Sequence, residues 1–482
     1  MNPKSSNLFR FSDFLCLITE DSMEKFKSMF SAVDMTEGRP WEKILMFTFP
    51  MLLGNIAQQL YNTVDSVVVG KYVGDNALAA VGSATPIFNL LIVLFVGIST
   101  GATIMVSQYF GARKREELSV TIGNCITLTG IASIFIMIVA TLAARPLLVL
   151  LKTPDSILDW CTSYLRILFI GIAGLAYYNI LCGILRGLGD AVSALVYLMV
   201  ASFLNIVLDV LFVAKFNMGV AGVAYATAIA QAVSAVLCLR KLMKMSYLFD
   251  FGVKYFKLKP GIYDNVIRLG LPSGITQGIL SMSMLMTQSL TNTFGEQIIA
   301  ANVIIMRVDG FAMLPNMSFG TTMTTYAGQN IGAKQPERVS KGAKQGTLLG
   351  IVTSTMITLI ILIFGKYLMG IFTETESLVE ISMRMLRILA PGYIAVAVTQ
   401  CLSGVMRGAG DTMTPMWISI VQTVFLRVPM AYLFVHLSKT AENPLGRPEC
   451  MFISLVLSWL LGALFTSIFY KKGKWRKTAI QS

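Results

Sequence analysis

Twelve apolar runs divide this chain of 482 residues, each long enough for the roughly 20 residues that a membrane-spanning helix needs. In the first half they fall near 44–70, 81–107, 119–143, 157–185, 191–214 and 218–240; in the second, near 269–293, 297–325, 345–369, 384–406, 412–435 and 451–470. In lipid every backbone polar group has to be satisfied within its own segment, so such runs fold as helices. The composition agrees: 55% of residues are hydrophobic and 13% charged, against about 25% charged in soluble domains. The expected fold is an all-α polytopic membrane protein. Several runs exceed the minimum, so tilt or extension beyond the hydrocarbon is expected.

The formal net charge of +13 suggests nucleic acid until its placement is read. About 27 of the 39 Lys and Arg fall on one side of the twelve-segment topology, in the N-terminal region, the loops after even-numbered segments and the C-terminus. They include Arg113-Lys114-Arg115, Arg240-Lys241, Lys254–Lys259 and Lys471–Lys477. Basic residues collect in cytoplasmic loops, which places both termini in the cytoplasm and makes the charge a topology signal. No nucleic-acid partner is expected. The single histidine, His436, speaks against a metal centre or His-based catalysis. The seven cysteines are scattered without a C-x-x-C pair, most of them in apolar runs where Cys packs as a small hydrophobe.

The chain also repeats itself at an offset of about 221 residues. Gln108-x-x-Gly111-Ala112 matches Gln329-x-x-Gly332-Ala333. Leu165-Arg166-Ile167-Leu168 matches Leu386-Arg387-Ile388-Leu389, with Gly171 over Gly392. Arg186-Gly187-x-Gly189-Asp190 matches Arg407-Gly408-x-Gly410-Asp411, and Pro50 stands opposite Pro272 after one indel. Six spans per copy is an even number, so both copies run the same way. The expected arrangement is twelve transmembrane helices in two six-helix lobes, related by a pseudo-two-fold axis along the membrane normal, with a substrate site between them. The domains read as an N-terminal extension (1–43), an N-lobe (44–243), a cytoplasmic inter-lobe loop (244–262), a C-lobe (263–470) and a basic tail (471–482). Residues 1–43 read as an interfacial amphipathic helix, a tail, or a start placed upstream of Met35. The R-G-x-G-D and Q-x-x-G-A loops read as structural: glycines for tight reversal, Asp as the cap of the next helix.

Ionisable residues deep in the spans are few: Asp65, Asp209, Arg307, Asp309 and Arg427. An acid at such depth costs about 2.5–3.5 kcal/mol on insertion scales and is a functional-site candidate. Gln58, Tyr61 and Asp65 lie on one helical face. Pro50 permits a bend. Asn205 and Asp209 are one turn apart, and Thr227 lies on the next segment. Their counterparts in the second copy are Leu426, Met430 and Pro448: the scaffold is duplicated, the acids are not. That asymmetry favours a dedicated cation site in the first half. Arg307 and Asp309, two apart, cannot face each other on a helix, so Arg427 is the candidate partner of Asp309. These three read as a secondary charged group, structural or in contact with substrate.

The helix QQLYNTVDSVVVG, the Q-N-I-G-A loop, the R-G-x-G-D turns and the two six-helix lobes together resemble the multidrug and toxic compound extrusion (MATE) family, over nearly everything from Met35 to about Lys474. In prokaryotic members that couple through the N-lobe, the resemblance implies cation coupling at Asp65, Asn205, Asp209 and Thr227, and a hinge at Pro50. It implies substrate contacts at Gln58, Tyr61 and Asn179. Other members carry acids on helices 7 and 10. Here both are missing and Gln277 is the nearest polar substitute, so a C-lobe Na⁺ site of that type is not expected. The implied protein is no enzyme and needs no cofactor. It is a monomeric, multi-pass antiporter of the bacterial cytoplasmic (inner) membrane, contacting lipids and small-molecule substrates. It is driven by H⁺, or by Na⁺ held at Asp65/Asp209. A distantly related reading is a flippase for lipid-linked precursors, which needs a basic central cavity.

Overall fold

A computed structural model describes residues 32–477 except 74, 152 and 442, with side chains described throughout that range except at 61–72, 75, 76, 78, 79 and 477. Residues 1–31, where most of the expected extension lies, are outside the described residues, as are the side chains of Tyr61 and Asp65. The described chain is helical, with no strand. The first half comprises α1 (Pro40–Tyr72), α2 (Asp75–Gly111), α3 (Arg115–Leu150), α4 (Asp155–Ile170), α5 (Ile172–Gly187), α6 (Ala191–Asp209) and α7 (Gly219–Lys244). The second comprises α8 (Ile262–Thr291), α9 (Glu296–Gly332), α10 (Pro336–Gly370), α11 (Glu376–Leu389), α12 (Gly392–Gly408), α13 (Met413–Ile420), α14 (Val428–Leu437) and α15 (Glu449–Lys472).

Eight of these helices, α6 and the α13–α14 run being counted together with the π-turns that extend them, are long and apolar enough to span on their own, and two bent pairs supply one span each. The remaining two places belong to α1 and α8, 33 and 30 residues long. Each opens one half, and each mixes amides, hydroxyls and a proline among its apolar residues. Twelve spans result, as the runs predict.

The breaks are not legible in the apolar pattern. Expected segments 157–185 and 384–406 are each two helices, α4–α5 bent by 50° at Gly171 and α11–α12 bent by 46° before Gly392. The two glycines are equivalent in the repeat. Pro391 lacks the N–H that a continuous helix would use. Gly171 lets α7 pass close, since a Cβ there would meet that of Ala228 at 2.5 Å. Two further spans loosen into π-turns, Val210–Lys215 after α6 and Val421–Arg427 between α13 and α14.

Packing explains why the first helix of each half is the polar one. α1 lies between α6 of its own half and α9 and α10 of the other, while α8 lies against α2 of the first half and α13 of its own. Both straddle the contact between lobes. Two apolar clusters fill the first half, one of them reaching Val266 and Leu269 of α8, and a third fills the second. A fourth joins both halves at the basic face, with Phe47 and Ala191 from one and Phe319, Met323 and Val405 from the other. The R-G-x-G-D turns sit at this face. Gly189 and Gly410 take φ of 92° and 98°, which favours glycine. Asp190 caps α6 by accepting from Ser193 N at 2.9 Å, and Asp411 accepts from Thr414 N at 3.0 Å.

Candidate cation and substrate site

Asn205 and Asp209, one turn apart on α6, are both fully buried. α7 returns beside them after a short turn and brings Thr227 to the same place. Asn205 Nδ2 stands 3.3 Å from the Thr227 hydroxyl. With the amide turned over, Asn205 donates to Asp209 Oδ2 at 2.8 Å and accepts from Thr227 N at 3.1 Å. That orientation satisfies both the oxygen and the nitrogen of the Asn205 amide. α6 opens into its π-turn directly after Asp209, a distortion that recurs at functional sites.

The backbone places Asp65 at this depth. α1 and α6 both rise from the basic face, and Gly54 lies against Leu195. At a common rise per residue, Asp65 falls level with Ile206, between Asn205 and Asp209. Pro50 is buried, and α1 continues through it. Of the expected substrate contacts, Gln58 and Gln277 are exposed, on α1 and α8. Asn179 is half-buried and donates to the Leu175 carbonyl of its own helix at 2.9 Å.

In the second half, Asp309 on α9, Tyr393 on α12 and Arg427 at the end of the second π-turn approach one another, close enough for the two charges to interact. They do not form the expected ion pair. Asp309 Oδ1, Tyr393 Oη and Arg427 Nε are buried, and none makes a hydrogen bond among the described residues. Arg307 takes no part. It is exposed on the opposite side of α9.

Sequence reading missed a contact between the lobes. Gln108 Nε2 donates to the Gly408 carbonyl at 2.8 Å, and Gln329 Nε2 donates to the Gly187 carbonyl at 3.0 Å. Each Q-x-x-G-A glutamine thus caps the R-G-x-G-D turn of the other lobe. Gly111 and Gly332 let the backbones meet: a Cβ on either would lie 1.9 Å from the carbonyl oxygen of Gln329 or Gln108. Residues 33–38 tie across the same seam. Val33 N donates to Gly189 O and Met35 N to Gln329 Oε1. Arg113 pairs with Asp34, while Arg338 donates to the carbonyls of Met35, Glu37 and Gly38. The repeat itself was the available signal, since both motifs recur at one offset.

Known proteins agree with this architecture. The MatE family model matches twice, over residues 50–211 and 272–433, once in each half. A probable multidrug resistance protein of Bacillus subtilis, YoeA, is 28% identical over 86% of this chain and 92% of its own length. A multidrug resistance MATE family transporter of the MOP superfamily, solved in an outward-facing conformation, superposes with a TM-score of 0.86 at 26% identity, covering 93% of this chain and 99% of that one. A MOP superfamily transporter from Pyrococcus furiosus, described as having a binding pocket of reverse polarity, gives a TM-score of 0.84 at 25% identity, with 92% and 98% coverage. The relatives are transporters and not enzymes. With both halves matched, this chain belongs to the MATE family of multidrug efflux transporters.

Proposed function

We propose that this transporter is a cation-coupled antiporter that exports organic cationic or amphiphilic compounds by alternating access. The observation that carries the reading is the buried Asn205–Asp209–Thr227 cluster at the depth of Asp65, present in one lobe and absent from its twin. A carboxylate held in low dielectric is costly unless compensated. A proton or Na⁺ arriving there removes that cost, and a cationic substrate competes for the same charge. Loading biases the equilibrium between two facings, with Pro50 as the point where α1 changes its bend. Gln58, Tyr61, Asn179 and Gln277 are the proposed substrate contacts.

The seam at the basic face supports an outward-facing assignment for this conformation. Basic residues favour the cytoplasmic side, which puts the closed seam and both termini on the cytoplasmic side of a bacterial membrane. The flippase reading is not favoured, since YoeA and the outward-facing neighbour both carry multidrug names. The test is a liposome antiport assay with ΔpH and ΔpNa imposed separately on the purified protein. Efflux of an organic cation driven by either gradient supports the reading; efflux indifferent to both opposes it.

A further inference from the structure

The antiport reading leaves Arg307 without a role. It stands on α9 about three turns in from Glu296, and its side chain is exposed, with no hydrogen bond or ion pair among the described residues. An arginine at membrane depth is costly unless it faces a polar cavity or partner.

Helix register gives its direction. Three positions of α9 meet α1: the hydroxyls of Thr322 and Thr48 are 3.0 Å apart, Asn55 Nδ2 donates to Ser318 Oγ at 2.9 Å, and Gly310 lies beside Gln59 Nε2, 3.9 Å from where a Cβ would be. Arg307 shares a face with Gly310 and Ser318 and continues the stripe one turn beyond it. The two helices are antiparallel, so the same register sets Arg307 level with Thr63, within two residues of Asp65. At the same offset α6 sets Leu204 level with Thr63, with Asn205 and Asp209 one and five residues further along. A C-lobe guanidinium and the N-lobe acid–amide cluster therefore occupy one depth, on opposite sides of the contact between lobes. Asp309 does not neutralise Arg307, because it is turned into the C-lobe beside Tyr393 and Arg427.

We propose that Arg307 is the anion-recognising half of a bipolar substrate site, and that the transported compounds are zwitterions. In this scheme a carboxylate or phosphate meets the planar fork of Arg307, which matches such groups with two parallel hydrogen bonds. The cationic end meets the N-lobe acids. The inference rests on the antiport reading for those acids and adds a requirement that the acids alone do not impose.

The experiment measures binding of rhodamine B, which carries a free carboxylate, and of its ethyl ester, which does not, by fluorescence anisotropy on the full-length protein. Wild type, Arg307→Gln and Arg307→Lys are compared. Arg307→Gln is expected to weaken rhodamine B by about tenfold or more, the range of a charge-assisted hydrogen bond, and the ester by less than about twofold. Arg307→Lys, which keeps the charge but not the fork, falls between. Equal loss on both dyes, or no loss on either, overturns the proposal. A separate gradient-driven transport assay of both dyes, in liposomes carrying wild type or Arg307→Gln, addresses the antiport reading. Arg307-dependent binding without any transport sinks that reading and leaves the bipolar site standing. Transport of both dyes unchanged by Arg307→Gln does the reverse.

Discussion

Gln108 of the first lobe and Gln329 of the second make the same bond in opposite directions, each donating to a glycine carbonyl of the other lobe, Gly408 and Gly187. A duplicated motif has become a pair of reciprocal clasps across the pseudo-two-fold axis. A transporter that alternates has to break both together. Each buried bond contributes about 1 kcal/mol net, a modest barrier that leaves the seam reversible.

Backbone contact at this seam makes its glycines sensitive. Gly332→Ala puts a methyl group 1.9 Å from Gln108 O, so the lobes have to part. The check is an engineered Ser107→Cys, buried in the parent structure, labelled with a membrane-impermeant maleimide from the basic face. Labelling is expected to be slow in the parent and at least about tenfold faster with Gly332→Ala, corresponding to a loss of about 1.4 kcal/mol or more. Equal rates would show that the seam is not held closed by this approach.

The strap at residues 33–38 carries a pH dependence. Burial alone would raise the Asp34 carboxyl, but hydrogen bonds from Thr36 and the Arg113 guanidinium together hold it below its ordinary 3.8. A depressed folded-state value stabilises above the unfolded one and fades as pH falls through it. Asp34→Asn is therefore expected to lower the melting temperature at neutral pH, and the gap from wild type should close below about pH 4. The effect is small, about 1 kcal/mol or less, because Arg113 is solvent-exposed. A gap that widens on acidification would contradict the pairing.

Pro50 offers a test of conformational change apart from binding. Pro50→Ala restores a backbone donor inside α1 and is expected to slow turnover several-fold while ligand affinity changes by less than about twofold. Stopped-flow efflux and equilibrium binding on the same preparation separate the two. Loss of affinity with unchanged turnover would remove Pro50 from the hinge.

Local chemistry was legible in the sequence, and relations across the chain were not. The spacing of Asn205 and Asp209 predicted a shared face, and the structure joins them to Thr227. The Asp of each R-G-x-G-D turn was legible as a cap because the capped N–H lies three residues on. By contrast Gln108 and Gly408 are 300 residues apart, and no local pattern names such a partner. The bend at Gly171 escaped notice because it depends on Ala228 of a neighbouring helix. Arg427 was legible as the candidate partner of Asp309 from charge alone; the structure brings the two charges within reach of each other beside Tyr393, without a direct ion pair among the described residues.

The central claim is that the acids of one lobe couple export to an ion. The direct measurement is gradient-driven efflux from liposomes by wild type, Asp65→Asn and Asp209→Asn, reconstituted at equal density. Each substitution keeps side-chain shape and removes charge. The account predicts that gradient-stimulated efflux falls by about tenfold or more in both variants, while insertion and thermal stability remain close to wild type. Full stimulated efflux in either variant would contradict it.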